Sequence, residues 1–227
     1  MKFQKYMAVG ILGLTMALGF SGCQSENQKN QDAYRKIGIN SMAEGDYDKA
    51  VKSFQKALDT SLGKIGAEEI DICYYKAAAQ FAKKDYDGAI ETYTSLIDYD
   101  KENANAYYLR GSVYLDTDKK DKAFKDYKNA VKYAGREYEI YEGIYENLTN
   151  KGETEEAKNY LKKALDIKPK DGADYAEQGH VYYLLEDYTQ AKSSLDRAID
   201  KDDKTALLYL ADVYNAKDQQ EQGQALL

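Results

Sequence analysis

Few residues in this chain have the chemistry that catalysis or metal binding requires. The 227 residues include one histidine, His180, and two cysteines, Cys23 and Cys73. A zinc site needs three or four cysteine, histidine or carboxylate ligands, and His180 and Cys73 lie in distant parts of the sequence. No glycine-rich phosphate-binding loop follows an apparent strand. We therefore expect no catalytic residues, no metal and no cofactor, and a protein that is not an enzyme.

Cys23 ends an N-terminal segment that reads MKFQKYMAVGILGLTMALGFSGC. Two lysines come first, and an uncharged apolar run from Met7 to Phe20 follows, a pattern typical of export signals. The run is shorter than the roughly 20 residues that an ordinary membrane-spanning helix needs. We therefore expect residues 1–22 to be a signal peptide that is removed.

The end of that segment, FSGC, resembles the lipobox of bacterial lipoproteins. Ser21, Gly22 and Cys23 match, whereas Phe20 stands where leucine is usual. The resemblance implies that Cys23 receives a diacylglycerol thioether (and palmitate) and holds the protein on the extracytoplasmic face of the cell membrane. The alternative is cleavage by an ordinary signal peptidase and a freely secreted protein.

The remainder of the chain is acidic. Without residues 1–22 it has 30 basic and 39 acidic residues, a net charge of −9. Such a surface disfavours nucleic acid, whose phosphates require a basic face. The polar residues that follow Cys23 contain no apolar side chain up to residue 31, so we predict that residues 23–31 form the lipid attachment and a flexible tether.

One hexamer recurs along the chain, as GDYDKA at residues 45–50, KDYDGA at 84–89 and EDYTQA at 186–191. Its last residue belongs to a series of alanines separated by 39, 34, 34, 34 and 34 residues: Ala50, Ala89, Ala123, Ala157, Ala191 and Ala225. A period of 34 residues fits one helix pair repeated in a row. Each pair would leave one face bare, so neighbouring pairs must stack.

The unit resembles the tetratricopeptide repeat (TPR), a helix pair with small residues at positions 8, 20 and 27 and aromatic residues at positions 4 and 24. Position 20 is alanine in all six units, and position 4 is aromatic in five. The insertion IGAEE at residues 65–69 explains the longer first step. The resemblance predicts an all-α fold, a right-handed α-solenoid of about six TPR helix pairs over residues 32–227, the sixth incomplete. It places Cys73 at a core position.

In TPR proteins the inner groove is lined by positions 2, 5, 9, 12 and 13 of each first helix. The resemblance therefore implies a partner-binding groove with an aromatic and aliphatic zone, an acidic stripe and a third zone around the histidine. These zones contain Tyr74, Phe81, Tyr108 and Leu115, then Glu139, Glu142 and Glu146, then His180 and Tyr183. The alternatives are inter-helix packing for the aromatic residues and a solvated helix face for the acidic ones.

The function we expect is that of a membrane-anchored TPR scaffold or adaptor at the cell envelope. Its groove would bind a protein or peptide segment, and the acidic stripe favours a basic one. An alternative is a self-associating structural envelope protein, because the chain stops at QALL within the second helix of its sixth unit and a second copy could complete the stack as a homodimer. An enzyme is a more distant alternative.

Overall fold

The structure, a computed structural model, describes residues 26–61, 63 and 65–216. The predicted signal peptide, the lipidation of Cys23 and the predicted dimer contact at residues 225–227 lie outside those ranges. Eleven α-helices and no strand are found in the described part of the chain, which confirms the all-α prediction. The helices are α1 Glu26–Ala43, α2 Tyr47–Asp59, α3 Ala67–Ala82, α4 Tyr86–Tyr99, α5 Ala104–Asp116, α6 Lys120–Tyr133, α7 Tyr138–Asn150, α8 Thr154–Ala164, α9 Gly172–Leu184, α10 Tyr188–Ile199 and α11 Thr205–Ala216.

The chain folds as two compact units that meet in sequence between Tyr133 and Ala134. In the N-terminal unit, α1 packs on α2, α3 on α4 and α5 on α6, and α2 also contacts α3, as α4 contacts α5. In the C-terminal unit, α7 packs on α8 and α9 on α10, while α11 packs against both α9 and α10. Each unit is therefore a short stack of helix pairs. Within the described ranges, no helix has the length and apolar character needed to cross a membrane.

The recurring hexamer marks the turn between the two helices of a pair. Its first residue adopts a positive φ, 78° at Gly45, 66° at Lys84 and 65° at Glu186. The aspartate that follows begins the second helix, and the side chain of Asp46 accepts a hydrogen bond of 3.0 Å from the amide of Lys49. The residue with left-handed backbone conformation ends the first helix, and the N-cap aspartate after it starts the second. Only three residues therefore separate the two helices.

Small residues let the two helices of a pair approach closely. The first five alanines of the 34-residue series are fully buried. A Cβ atom placed on Gly111 would lie only 2.8 Å from Cε1 of Tyr127, and one on Gly38 would lie 2.5 Å from Cε1 of Phe54. The aromatic ring at position 24 therefore occupies the space that the glycine at position 8 leaves empty, as the repeat pattern predicts.

The prediction of a flexible tether is wrong for residues 26–31, because α1 already begins at Glu26. Gln31 is buried, and its Nε2 atom donates a hydrogen bond of 2.7 Å to Oε1 of Glu69 on α3. Because this segment is polar, its composition did not indicate a helix. The structure shows that its contact with the neighbouring pair is made by a polar side chain.

The insertion at residues 65–69 lengthens the link between the first two pairs, as expected, and also supplies the first turn of α3. Gly66 is the N-cap residue, and its amide donates a hydrogen bond of 2.8 Å to Oε2 of Glu69. The nearby Cys73 is only partly buried, and burial raises the pKa of its thiol.

Candidate functional site

The single histidine of the chain lies beside an acidic residue of the preceding helix pair. Nδ1 of His180 on α9 is 2.9 Å from Oε1 of Glu142 on α7. A carboxylate can only accept, so the ring N–H donates this hydrogen bond. The two side chains are 21% and 14% exposed, and the contact is therefore mostly shielded from water.

Two tyrosines hold the imidazole ring in place. The ring of Tyr209 on α11 stacks on His180 with centroids 4.3 Å apart and planes 10° apart. Tyr183, one turn further along α9, lies at 6.1 Å with an angle of 15°. Residues from three helices of the C-terminal unit therefore fix the orientation of one side chain.

A second glutamate, Glu177, completes the cluster. It precedes His180 by three residues on α9, so both side chains lie on the same face of the helix. Three potential ligand atoms lie within 4.8 Å of one another, namely one carboxylate oxygen each from Glu142 and Glu177 and one imidazole nitrogen of His180. Burial, followed by the charges of Glu142 and Glu139, raises the pKa of Glu177 to about 7, although the charge of His180 opposes this shift.

The pKa of His180 is set by opposing influences. Burial alone would lower it, but the hydrogen bond to Glu142 and the negative charges of Glu142, Glu177 and Asp212 together raise it above the ordinary value. The protonated imidazole is thus favoured where carboxylates surround it. The cluster has more acidic than basic groups and attracts positive charge.

The three glutamates of the predicted acidic stripe have different surroundings. Glu142 is paired with His180, and Glu139 is exposed but near enough to influence Glu177. Glu146 lies one turn further along α7, is half-buried and is not part of the cluster. The structure therefore brings two of the predicted stripe residues together with the predicted histidine zone.

The predicted aromatic zone in the N-terminal unit is mainly packed between helices. The hydroxyl of Tyr74 donates a hydrogen bond of 2.6 Å to Oδ1 of Asn103, the N-cap residue of α5. Phe81 packs edge-on against Tyr86, with ring centroids 5.6 Å apart. Both side chains remain partly exposed and contact the hydrophobic core of this unit.

Two members of that zone, Tyr108 and Leu115, need correction as exposed contact residues. They are only 7% and 2% exposed. Tyr108 lies 6.4 Å from the ring of Tyr127, which itself fills the space beside Gly111. In this structure both side chains fit the alternative of inter-helix packing, because close helix approach encloses them.

Sequence reasoning did not single out Glu177 or Tyr209. The Glu-x-x-His spacing of residues 177–180 was available in the sequence, and it indicates two groups on one helix face. Tyr209 was assigned only a packing position, and nothing local to α11 indicates that its ring stacks on a histidine of α9.

Comparison with known families identifies the repeat. Models described as tetratricopeptide repeat match residues 32–61, 104–136, 146–171 and 177–226, and one described as TPR repeat matches residues 77–118. The matches at residues 32–61 and 104–136 follow the α1–α2 and α5–α6 pairs, and the other three begin inside α3, α7 and α9.

Solved structures with similar folds are TPR proteins or share their architecture. A tetratricopeptide repeat protein from Parabacteroides merdae is 16% identical with a TM-score of 0.51, over 88% of this chain and 77% of that one. PilF of Pseudomonas aeruginosa is 16% identical with a TM-score of 0.50, over 89% and 90% of the two chains. The MamA protein is 22% identical with a TM-score of 0.50, over 85% and 96%. At these identities the likeness shows the fold alone.

One curated relative is subunit 3 of the anaphase-promoting complex of Schizosaccharomyces pombe, which is 21% identical over 217 residues. The alignment covers 83% of this chain but only 33% of that protein, so the chain spans about a third of its length. Repeats of this kind generally mediate contacts between proteins. Together, the repeat matches and the stacked helix pairs show that this chain is built from tetratricopeptide repeats.

Proposed function

We propose that the chain is a membrane-anchored TPR scaffold whose C-terminal unit binds a basic or amine-bearing segment of a partner protein. The observation that carries this proposal is the convergence of Glu142, Glu177 and His180 in a fold whose general role is protein binding. The partner would contact these residues together with Glu139 and Tyr183.

The chemistry of the cluster supports a positively charged ligand. Glu177 is a partly buried acid whose carboxylate receives no hydrogen bond from the described residues. A lysine or arginine side chain of a partner would supply both donors and positive charge. The rings of Tyr183 and His180 would line the stem of such a side chain, because long basic side chains pack their apolar portion against neighbouring surfaces.

The N-terminal residues support a location at the cell envelope. The apolar run and the FSGC segment fit a lipoprotein signal, and a lipid on Cys23 would hold the scaffold on the extracytoplasmic face of the membrane. Two or more acyl chains give stable attachment, whereas one binds only marginally. The repeats would then present their binding surface next to the membrane.

The test compares proteins that co-purify with the full-length chain and with the triple variant Glu139→Gln, Glu142→Gln and Glu146→Gln. We expect a partner that is released from the wild type by increasing salt and is weakly retained by the variant, because the variant lacks negative charge that complements a basic segment. The control is Glu155→Gln with Glu156→Gln, two exposed residues on α8. Equal recovery with all three proteins, independent of salt, would contradict the proposal.

A further inference from the structure

We propose that Glu142, Glu177 and His180 form a binding site for a divalent transition-metal ion, with Zn²⁺ as the probe ion. One imidazole nitrogen and two carboxylate oxygens, one from each side chain, lie within 4.8 Å of one another. These are the atoms that zinc takes as ligands in proteins. To coordinate one ion, the three side chains would have to rotate until these atoms surround it.

The helices place the three groups as a metal site requires. Glu177 and His180 stand three residues apart on α9, which is the Glu-x-x-His spacing that helical bundles use to present two ligands to one metal. Glu142 reaches the same point from α7. Three protein ligands leave one coordination position open for water or a partner's side chain.

The ligand types favour zinc or a similar transition-metal ion over magnesium or calcium. Magnesium and calcium take oxygen ligands almost alone, whereas imidazole is a ligand that zinc, copper, iron and nickel accept readily. With a histidine among only three protein ligands, the cluster should discriminate against the two oxygen-seeking ions.

The surroundings prepare the cluster for a cation. Tyr209 stacks on His180 at 4.3 Å and restrains the ring, and a fixed ring orientation favours metal binding. Among the described residues no donor satisfies the partly buried carboxylate of Glu177, and Glu139 adds negative charge beside it. A bound cation would satisfy Glu177 and offset the repulsion between the glutamates.

This inference goes beyond the proposed scaffold function and is tested separately from it. A bound ion would compete with a basic segment for Glu142 and Glu177, or it would present its open position to a histidine or carboxylate of the partner. Metal binding is measured on the protein alone, so its failure would not affect the co-purification result, and the reverse also holds.

The experiment titrates Zn²⁺ into metal-stripped full-length protein in detergent, at about pH 8, where the ligands give up their protons to a metal. His180 is the only histidine in the chain, so the two C–H proton resonances of its imidazole report the site without assignment of other signals. We expect both resonances to shift with one equivalent of Zn²⁺, and calorimetry to give the same stoichiometry. Mg²⁺ and Ca²⁺ at the same concentration should leave the resonances unchanged.

Variants identify the ligands. Glu177→Gln and Glu142→Gln should each weaken Zn²⁺ binding by at least about tenfold, whereas Glu155→Gln, Cys23→Ser and Cys73→Ser should bind Zn²⁺ at His180 as the wild type does. Circular dichroism melting without metal shows whether each variant is folded. The proposal would be overturned if Zn²⁺ did not shift the imidazole resonances, or if it shifted them equally in the wild type and in Glu177→Gln.

Discussion

Nδ1 of His180 lies 2.9 Å from Oε1 of Glu142, so a hydrogen bond between these two side chains joins the α7–α8 pair to the α9–α10 pair. Neither pair contains the whole cluster, because Glu142 comes from one and Glu177 and His180 come from the other. The candidate site therefore exists only when the pairs are stacked. A substitution that loosens this stack should therefore weaken the proposed binding of a basic segment or a metal ion, even if the substituted residue is distant from the cluster.

The close approach of α5 and α6 predicts the effect of Gly111→Ala. The new Cβ would meet the ring of Tyr127 at 2.8 Å, an overlap that typically costs about 1–3 kcal/mol. Alanine gains about 1 kcal/mol over glycine in a helix, so we expect a net loss of about 1 kcal/mol in urea unfolding. Adding Tyr127→Leu should make the alanine substitution favourable. A stabilising effect of Gly111→Ala alone would contradict the proposed close contact.

The buried ion pair of the N-terminal unit predicts a larger effect. Nε and Nη2 of Arg110 donate to the two carboxylate oxygens of Asp126 at 2.7 and 2.8 Å, and Asp126 is only 3% exposed. Removing one partner of such a pair typically costs about 3–5 kcal/mol. We expect Asp126→Ala to lose about 3 kcal/mol in denaturant unfolding, and the double variant Arg110→Leu with Asp126→Leu to recover much of it. If both variants lost the same free energy of unfolding, the loss would not come from leaving one partner of the ion pair unpaired.

The acidic cluster between α1 and α3 predicts a pH dependence. Burial, followed by a hydrogen bond and charge interaction with Asp32 and the charge of Glu69, raises the pKa of Glu68 to about 7, while Arg35 opposes this. The folded chain then holds the proton more tightly than the unfolded chain. The stabilisation is complete below the ordinary pKa of about 4.5 and is lost as the pH rises through about 7.

We therefore expect Glu68→Gln to leave stability unchanged at about pH 4 and to increase it above about pH 8. The increase should be below about 1 kcal/mol, because Glu68 is partly exposed and solvent screens its interactions. The control Glu91→Gln removes an exposed carboxylate from α4 and should show no such pH dependence. Thermal melting at both pH values provides the measurement, and equal effects at both would argue against the shared proton.

The proposed lipid anchor predicts a change of location. Cys23→Ser should release the protein from the membrane or leave an uncleaved precursor, since the thiol proposed to accept the lipid is gone. Detergent partitioning and the mass of the N-terminal peptide measure the result. Wild-type protein in the medium, with no lipid mass on its N-terminus, would show that the anchor is absent.

The sequence predicted the repeated features of the fold well. The alanine period located the helix pairs, and the buried series from Ala50 to Ala191 and the contact of Gly111 with Tyr127 follow the predicted pattern. These features repeat because each pair must bury the same kind of helix surface against its neighbours. One unit therefore predicts the others.

The candidate site was only partly predictable because it depends on single residues that do not repeat. His180 and Glu142 were expected on one surface, but their hydrogen bond depends on rotamers that spacing does not determine. Tyr108 and Leu115 were expected at an exposed surface and are buried, because a position in the repeat does not determine how closely the next helices approach. The helical residues 26–31 were missed because their contacts are polar, as between Gln31 and Glu69.

Site-specific photo-crosslinking tests most directly whether the C-terminal unit contacts a protein partner through its acidic face. A benzophenone amino acid would replace Tyr183 beside the cluster or, as the control, Leu208, which is 58% exposed on α11 of the same unit. We predict that the full-length chain forms a specific crosslinked product from position 183, that Glu139→Gln with Glu142→Gln weakens this product, and that position 208 gives little of it. Equal products from both positions, unaffected by the glutamate substitutions, would contradict the account.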